Sequence, residues 1–216
     1  HEIFDGPTLI KIDGEDKRPL FISVLLHGNE TTGFYAIQSV LKDYVRKEKP
    51  LPRTVYLFIG NVLAAKENLR HLPDQPDFNR IWSPGLLEEN KMAMALIEKL
   101  KGENLFACLD IHNNTGKNPH YGSVNKLEPE FFDLARTFAP QVVYFTKPAS
   151  VLSLAFAELC PAITVECGMA GESYAIDHAI ILIRNCLDKK DFAKVPPAEE
   201  DWDLFHSVAR ILLTAQ

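Results

Sequence analysis

Short runs of apolar, often β-branched residues alternate along this chain with longer stretches in which apolar residues recur every three to four positions. The short runs predict strands buried on both faces of a sheet, because they lack the polar alternation of a half-exposed strand. The periodic stretches predict amphipathic helices. The predicted strands cover 20–27, 54–60, 105–111, 141–146 and 161–166, and the predicted helices cover 30–46, 86–101, 129–138, 150–159, 172–188 and 202–215.

The order of these elements predicts the fold class. Strands that alternate with helices form an α/β layer fold, in which helices cover both faces of a mostly parallel, twisted sheet. Near the N-terminus, TLIKIDGEDKRPLFI has a DGED turn between two extended segments, which predicts a hairpin at the sheet edge. The stretch KVPPAEED at 194–201 is a weak boundary before the last helix. We therefore expect a single domain over 1–216.

Composition excludes several classes of function. A chain of 216 residues with 46% hydrophobic and 24% charged residues is typical of a globular protein with one sizeable core. The net charge of -6 argues against nucleic-acid binding, which needs a concentrated basic face. No apolar run reaches the roughly 18 to 20 residues of a membrane span. The four cysteines lie in apolar contexts without a Cys-x-x-Cys pair, so we expect reduced core residues in a cytoplasmic protein.

Three polar stretches follow predicted strands. They are HGNE at 27–30, DIHNNTG at 110–116 and ECG at 166–168. In an open α/β sheet, ligands gather where strands end at their carboxyl edge, because the loops there converge on a crevice. We therefore expect these three stretches to lie around one site.

His27 and Glu30 are three residues apart, and Gly28 between them permits a sharp turn, so that both side chains can reach one point. An imidazole and a carboxylate suit zinc, and a catalytic zinc usually has three protein ligands. His112, which also ends a core strand, is the predicted third ligand, and Asp110 would orient its ring. Two other interpretations stay open: the His27–Glu30 pair also fits a helix-start carboxylate beside a strand-end histidine, and His112 also fits a hydrogen-bonded core histidine.

Glu166 follows an all-apolar strand and lies where that strand meets the crevice. A buried charge without a partner is costly, and a nearby dication would offset that cost. As a general base, Glu166 could take a proton from zinc-bound water and pass it to a leaving nitrogen. A structural ion pair with an arginine and direct metal ligation are the alternatives.

The segment NLRHLPDQPDFNRIW at 68–82 contains two prolines and several polar groups, which predicts a loop. Arg70 and Arg80 could bind a carboxylate or a developing oxyanion, since a guanidinium matches both geometries. Asn79 adds a polar group beside Arg80. Both arginines could equally well be ordinary surface charges.

Two further residues are candidates for substrate contacts. Tyr121 and its neighbour His120 fit the rim of a pocket that follows the His112 loop. Lys147, in the predicted strand-end loop YFTKPAS, fits either a second substrate carboxylate or a solvent-exposed position.

Together, these stretches resemble the succinylglutamate desuccinylase and aspartoacylase branch of the zinc carboxypeptidase family. The matching pieces, in the family's order, are HGNE at 27–30, GNVLAAKENLR at 60–70, DFNR at 77–80, LDIHNNTG at 109–116 and ITVECG at 163–168. The resemblance implies a three-layer, carboxypeptidase-like α/β fold with one zinc ion held by His27, Glu30 and His112. It also implies that Glu166 promotes the attack of zinc-bound water on an amide carbonyl.

The same resemblance implies that Arg70 polarises the carbonyl and that Asn79 with Arg80 binds the substrate's carboxylate. The chain departs from the family in two places. The family's loop between these arginines is usually shorter than the one here, which carries Pro73 and Pro76. Members of the family also commonly have a small C-terminal β-rich domain, whereas this chain ends in a predicted helix, so we expect that domain to be absent or to lie outside this chain.

We therefore expect a zinc-dependent hydrolase that cleaves the linear amide of an N-acyl amino acid or of a similar carboxylate-bearing compound. The expected partner is a small-molecule substrate rather than a nucleic acid or a membrane. Two alternatives remain, a metallo-carboxypeptidase that acts on short peptides and a non-catalytic zinc-binding module.

Overall fold

The computed structural model of the chain describes residues 4–198 and 202–209. Its strands are β1 Thr8–Ile12, β2 Gly14–Val24, β3 Leu51–Ile59, β4 Ala107–Asn114, β5 Tyr121–Val124, β6 Gln141–Tyr144, β7 Ala162–Met169 and β8 Asp203–His206. Its helices are α1 Thr32–Arg46, α2 Val62–Lys66, α3 Glu88–Leu100, α4 Pro129–Arg136, α5 Leu152–Phe156 and α6 Ser173–Asp188.

The described strands form one sheet in the order β1-β3-β2-β4-β7-β5-β6-β8. All neighbouring pairs are parallel except β1–β3 and β5–β7. Residues 19–24 of β2, 107–109 of β4 and 162–165 of β7 are buried, as the continuous hydrophobic runs at these positions predict. The α/β class with a mostly parallel sheet is thereby confirmed.

Helices cover both faces of this sheet. On one face, α1 lies so close to β2 and β4 that a Cβ atom on Gly33 would be 2.9 Å from Ile111 and 3.0 Å from Val24. On the other face, Phe156 of α5 stacks on Phe21 of β2 with 4.2 Å between ring centroids. Phe21 and Val24 are an odd number of residues apart and so point to opposite faces. The result is the predicted three-layer arrangement.

The N-terminal strand lies at the sheet edge, as predicted, but it does not form a hairpin with β2. Only Asp13 separates β1 from β2, and β1 pairs antiparallel with β3 instead. Gly14 and Asp16 of the predicted DGED turn are themselves strand residues, paired with β3. A Cβ atom on Gly14 would be 2.2 Å from the backbone of Arg53, so close approach to β3 explains this glycine.

The predicted helix at 202–215 is wrong in the part that the structure describes. Residues 203–206 form strand β8, which pairs in parallel with β6, and residues 210–216 lie outside the described residues. Trp202 packs on Phe132 of α4, and His206 packs on Tyr144 of β6, so contacts with neighbouring elements select the extended form. A short apolar run does not by itself distinguish strand from helix.

Two other sequence expectations concern the interior and the membrane. All four cysteines are buried and free, as predicted. No helix among the described residues is both long enough and apolar enough to span a bilayer.

Candidate functional site

The chain makes a sharp turn between β2 and α1, at the carboxyl edge of the sheet. Leu25 adopts a positive φ of 57°, and the Glu30 N–H donates to the His27 carbonyl at 3.1 Å, which closes a turn. A Cβ atom on Gly28 would lie 2.3 Å from the backbone of Ala64 in α2. Gly28 has no positive φ, so the close approach of α2 explains this glycine better than a left-handed turn does.

This turn brings three predicted ligands together. Nδ1 of His27 lies 2.8 Å from one Glu30 carboxylate oxygen, and Nδ1 of His112 lies 2.7 Å from the other. The two Nδ1 atoms are 3.2 Å apart, and one ligand atom from each residue lies within 4.8 Å of the others. All three residues are buried. Two imidazole nitrogens and a carboxylate that face a common point form a donor set suited to zinc.

Each histidine is oriented by a second carboxylate. Nε2 of His27 lies 2.9 Å from Asp77, and Nε2 of His112 lies 2.9 Å from the buried Asp110. When Nε2 donates its proton to a carboxylate, the lone pair of the neutral ring is on Nδ1. Both lone pairs then face the common point beside Glu30, which is the arrangement that a metal ion requires.

The charges at this centre are strongly coupled. Burial opposes ionisation of Glu30, but His112 and His27 outweigh it and hold the pKa of Glu30 well below its ordinary value. Burial likewise opposes protonation of His112, yet Asp110 and Glu30 raise the pKa of that ring well above its ordinary value. A bound cation would replace the proton that these carboxylates favour.

Arg70 lies at the open side of the same centre. Its guanidinium donates to Glu30 at 3.3 Å and to Asp77 at 3.0 Å, and its side chain is 43% exposed. Its backbone carbonyl accepts a hydrogen bond from the Gly28 N–H at 3.1 Å. The proline-containing loop therefore brings Arg70 beside the candidate ligands.

Asn79 and Arg80 are adjacent in sequence but differ in environment. Asn79 is buried; its carbonyl oxygen accepts from the Leu152 N–H at 3.0 Å, and its amide nitrogen lies 3.3 Å from Nε2 of His112. Arg80 is exposed, and its guanidinium donates to the Asn79 backbone carbonyl. Asn79 thus contacts a candidate ligand directly, whereas the Arg80 side chain contacts the backbone of Asn79.

Glu166 lies on β7, in register with His112 of β4 on one side and with Tyr121 of β5 on the other. Its carboxylate accepts a hydrogen bond from Asn114 at 3.0 Å. Burial raises the pKa of Glu166 to about 7, because it outweighs the opposing influence of His112. A carboxyl group with this pKa can both take and return a proton near neutral pH.

The other two substrate candidates lie in different environments. Tyr121 is half-buried, and burial together with the Glu166 carboxylate raises the pKa of its hydroxyl. Lys147 is exposed in the loop after β6 and contacts none of the candidate ligands within the described residues.

Three residues at this centre had no role assigned from the sequence. Asp77 contacts His27, the Asn113 N–H donates to Glu30 at 3.2 Å, and Asn114 contacts Glu166. All three lie within the DFNR and DIHNNTG stretches. These two motifs were the signal in the sequence from which a role for the three residues could have been inferred.

Comparisons with known proteins identify the family and the fold. The family model described as "Succinylglutamate desuccinylase/Aspartoacylase catalytic domain" matches residues 16–188. The fold is similar to that of a succinylglutamate desuccinylase from Chromobacterium violaceum, with a TM-score of 0.75, 18% identity, and coverage of 93% of this chain and 70% of that one. A search of curated proteins found no match.

Two further solved structures have a similar fold. A succinylglutamate desuccinylase/aspartoacylase from Rhodobacter sphaeroides gives a TM-score of 0.65 at 17% identity. The ectoine utilization protein EutE (DoeB) from Ruegeria pomeroyi, in a product-bound structure, gives 0.65 at 19%. In both comparisons the match covers 92% of this chain and 64% of the other. Because the family model covers most of its length, the chain belongs to the succinylglutamate desuccinylase/aspartoacylase family of hydrolases.

Proposed function

We propose that this chain is a zinc-dependent hydrolase that cleaves the amide bond of an N-acyl amino acid or of a similar carboxylate-bearing linear amide. The main support is the convergence of the His27, Glu30 and His112 ligand atoms within 4.8 Å of one another. The two carboxylates that orient the imidazole rings fit the same interpretation.

The donor set fits one zinc ion. His27 and His112 would hold it through Nδ1, and Glu30 through its carboxylate. When bound, zinc would supply Lewis acidity that polarises a carbonyl and lowers the pKa of water. Proton transfer, stabilisation of the oxyanion and substrate binding would then depend on side chains of the chain itself.

Glu166 is the proposed general base. Its carboxylate takes a proton from the attacking water and then delivers it to the leaving nitrogen, and Asn114 holds it in position. Arg70 is the proposed donor to the oxygen that gains negative charge, because its partly exposed guanidinium already lies beside Glu30.

Four residues are proposed to contact the substrate. Arg80 is exposed and would pair with the substrate's carboxylate, for which a guanidinium is well matched. Asn79 would assist through its amide nitrogen, since Leu152 engages its oxygen. Tyr121, which pairs with Glu166 across β5 and β7, would contact the substrate there, and Lys147 would meet a second carboxylate on a longer substrate.

Substitution of Glu166 by Gln tests the proposal. We expect the variant to retain one equivalent of zinc at the His27 centre and to lose about 100- to 10,000-fold in kcat, the usual contribution of a general base. Metal analysis and turnover of a panel of N-acyl amino acids and short peptides measure both quantities. Glu88→Gln, at an exposed position on α3, is the matched control and should leave turnover unchanged.

The panel also separates the alternatives. Full activity of Glu166→Gln would exclude the proton-transfer role. Turnover confined to peptides would favour a metallo-carboxypeptidase, and bound zinc with no turnover in the unsubstituted protein would favour a non-catalytic module.

A further inference from the structure

A pair of histidines, a residue type that commonly binds metal ions, lies outside the group formed by His27, Glu30 and His112. His120 precedes β5, and His178 lies on α6. Their Nδ1 atoms are 2.6 Å apart, and their rings are inclined by only 15° with 4.9 Å between centroids. The distance between the centroids exceeds the distance between the Nδ1 atoms by about the width of one ring. Both Nδ1 atoms therefore lie between the two centroids, and the rings meet edge to edge. Each imidazole therefore directs Nδ1 at the other.

The surrounding aromatic residues hold this pair in place. Phe138 stacks on His178 with 4.3 Å between centroids, and Tyr174, one helical turn before His178, lies 5.3 Å from the ring of His120. Nε2 of His120 is buried and has no hydrogen-bond partner among the described residues. The imidazoles are thus oriented by packing against rings rather than by carboxylates.

The pair is open to solvent through a cavity of about 460 Å³, which both histidines, Phe138 and Tyr174 help to line. Burial lowers the pKa of His120, and His178 adds to this effect against the opposing charge of Glu172. A neutral imidazole is the form that coordinates a metal. The cavity provides a path for an ion and space for water ligands.

We propose that His120 and His178 form a second binding site for a borderline divalent cation such as zinc. Two nitrogens at about 2.1 Å from a tetrahedral ion are roughly 3.4 Å apart. Binding therefore requires the two Nδ1 atoms to move apart by less than about 1 Å and both rings to turn so that their lone pairs converge on the ion, and the cavity beside them offers the space for this movement. With two protein ligands and water, this site binds more weakly than the His27 centre. It is independent of the proposed hydrolase activity.

The test is a titration of the metal-stripped full chain with zinc chloride, in competition with a chromophoric chelator. We expect two equivalents, one tight and one weak. His178→Phe keeps the stacking on Phe138 and should raise the Kd of the weak equivalent at least tenfold, without changing the tight one. His120→Gln should do the same. His71→Phe, at an exposed histidine, is the matched control.

His27→Gln separates this proposal from the proposed function. It should remove the tight equivalent and leave the weak one in place. A single equivalent in the unsubstituted protein would overturn the second site and leave the histidine pair as a hydrogen bond only. A weak equivalent that persists unchanged in both His178→Phe and His120→Gln, with thermal unfolding showing both to be folded, would also overturn it.

Discussion

Gly28 joins the two halves of the candidate metal centre. Its small size lets the backbone of α2 approach, and its N–H donates to the carbonyl of Arg70. The turn that positions His27 and the loop that positions Arg70 are therefore fastened to each other at one residue. Any side chain at this position must push α2 away, because the clash is with backbone.

Gly28→Ala tests this role at the scale of the residue. A Cβ atom 2.3 Å from the Ala64 backbone should cost about 1 to 3 kcal/mol in the free energy of unfolding and weaken zinc binding, since His27 is displaced. Denaturant unfolding and metal titration measure the two effects. Gly102→Ala, where a Cβ atom meets nothing within 4 Å, is the control and should change stability by less than about 0.5 kcal/mol. Equal stability of the two variants would contradict the argument.

Some residues of the centre could be predicted from the sequence, and others could not. His27, Glu30 and His112 could be predicted because strand ends in an α/β sheet converge on one edge. Asp77 and Asn114 could not be assigned contacts, because the direction of a side chain in a loop or after a register shift does not follow from alternation along a strand. Asp110 lies within β4, where alternation holds, and its position beside His112 was predictable.

Strand β7 shows how an element positions a functional group. Between the pairs His112–Glu166 and Asn114–Met169, β7 has one more residue than β4, which is a β-bulge. Gly168 takes up the extra residue with a φ of +72°, and its carbonyl accepts from Asn113 at 2.9 Å. The bulge ends regular pairing directly after Glu166, at the carboxyl edge.

Gly168→Ala and Gly171→Ala form a matched pair at the scale of the element. Both glycines have positive φ, so each substitution should cost about 1 kcal/mol of stability. Only at Gly168 does a Cβ atom meet neighbours, Nε2 of His120 at 2.9 Å and the Tyr174 hydroxyl at 3.2 Å. We expect Gly168→Ala to lose about 1 kcal/mol more and to lower kcat by shifting Glu166. Unfolding curves and turnover measure this; equal losses in both variants would argue against the bulge as a positioning device.

Element prediction succeeded where the apolar pattern was long. The buried runs of β2, β3, β4 and β7 and the periodic stretches of α1, α3 and α6 were found with shifted ends. Of the four-residue strands, β6 was found because its run QVVYFT is apolar and β-branched. In contrast, β5 was missed and β8 was taken for helix, because their extended form depends on pairing with neighbours distant in sequence.

At the scale of the molecule, the edge of the sheet opposite the candidate site is held by a buried arginine. Arg53 on β3 is 1% exposed and lies over the ring of Phe106 at 3.6 Å. It donates to the Arg18 carbonyl on β2 and to the Lys189 carbonyl after α6, and Asp16 lies 3.0 Å from its guanidinium. This cluster links the first half of the chain to the end of α6. Its loss should affect stability and leave chemistry intact.

Asp16→Asn removes the carboxylate that balances this buried charge. Breaking a buried ion pair leaves a desolvated charge, and partial exposure of Asp16 reduces the effect, so we expect a loss of about 1 to 3 kcal/mol at neutral pH with unchanged kcat. Asp191→Asn is the matched control, because Asp191 pairs with Arg18 but its side chain is 78% exposed. A surface pair of this kind should contribute less than about 1 kcal/mol.

The pH dependence gives Asp16→Asn a second readout. The hydrogen bond with Arg18, aided by Arg53, outweighs burial and lowers the pKa of Asp16 to about 2. A carboxylate whose pKa is lower in the folded than in the unfolded state stabilises the fold above the unfolded value, near 4, and loses that contribution as pH falls toward 2. Urea unfolding between pH 5 and pH 2 should therefore show a steeper loss of stability in the unsubstituted protein than in Asp16→Asn. Parallel curves would mean that Asp16 does not balance Arg53, and that the two backbone carbonyls and packing on Phe106 keep this charge buried without it.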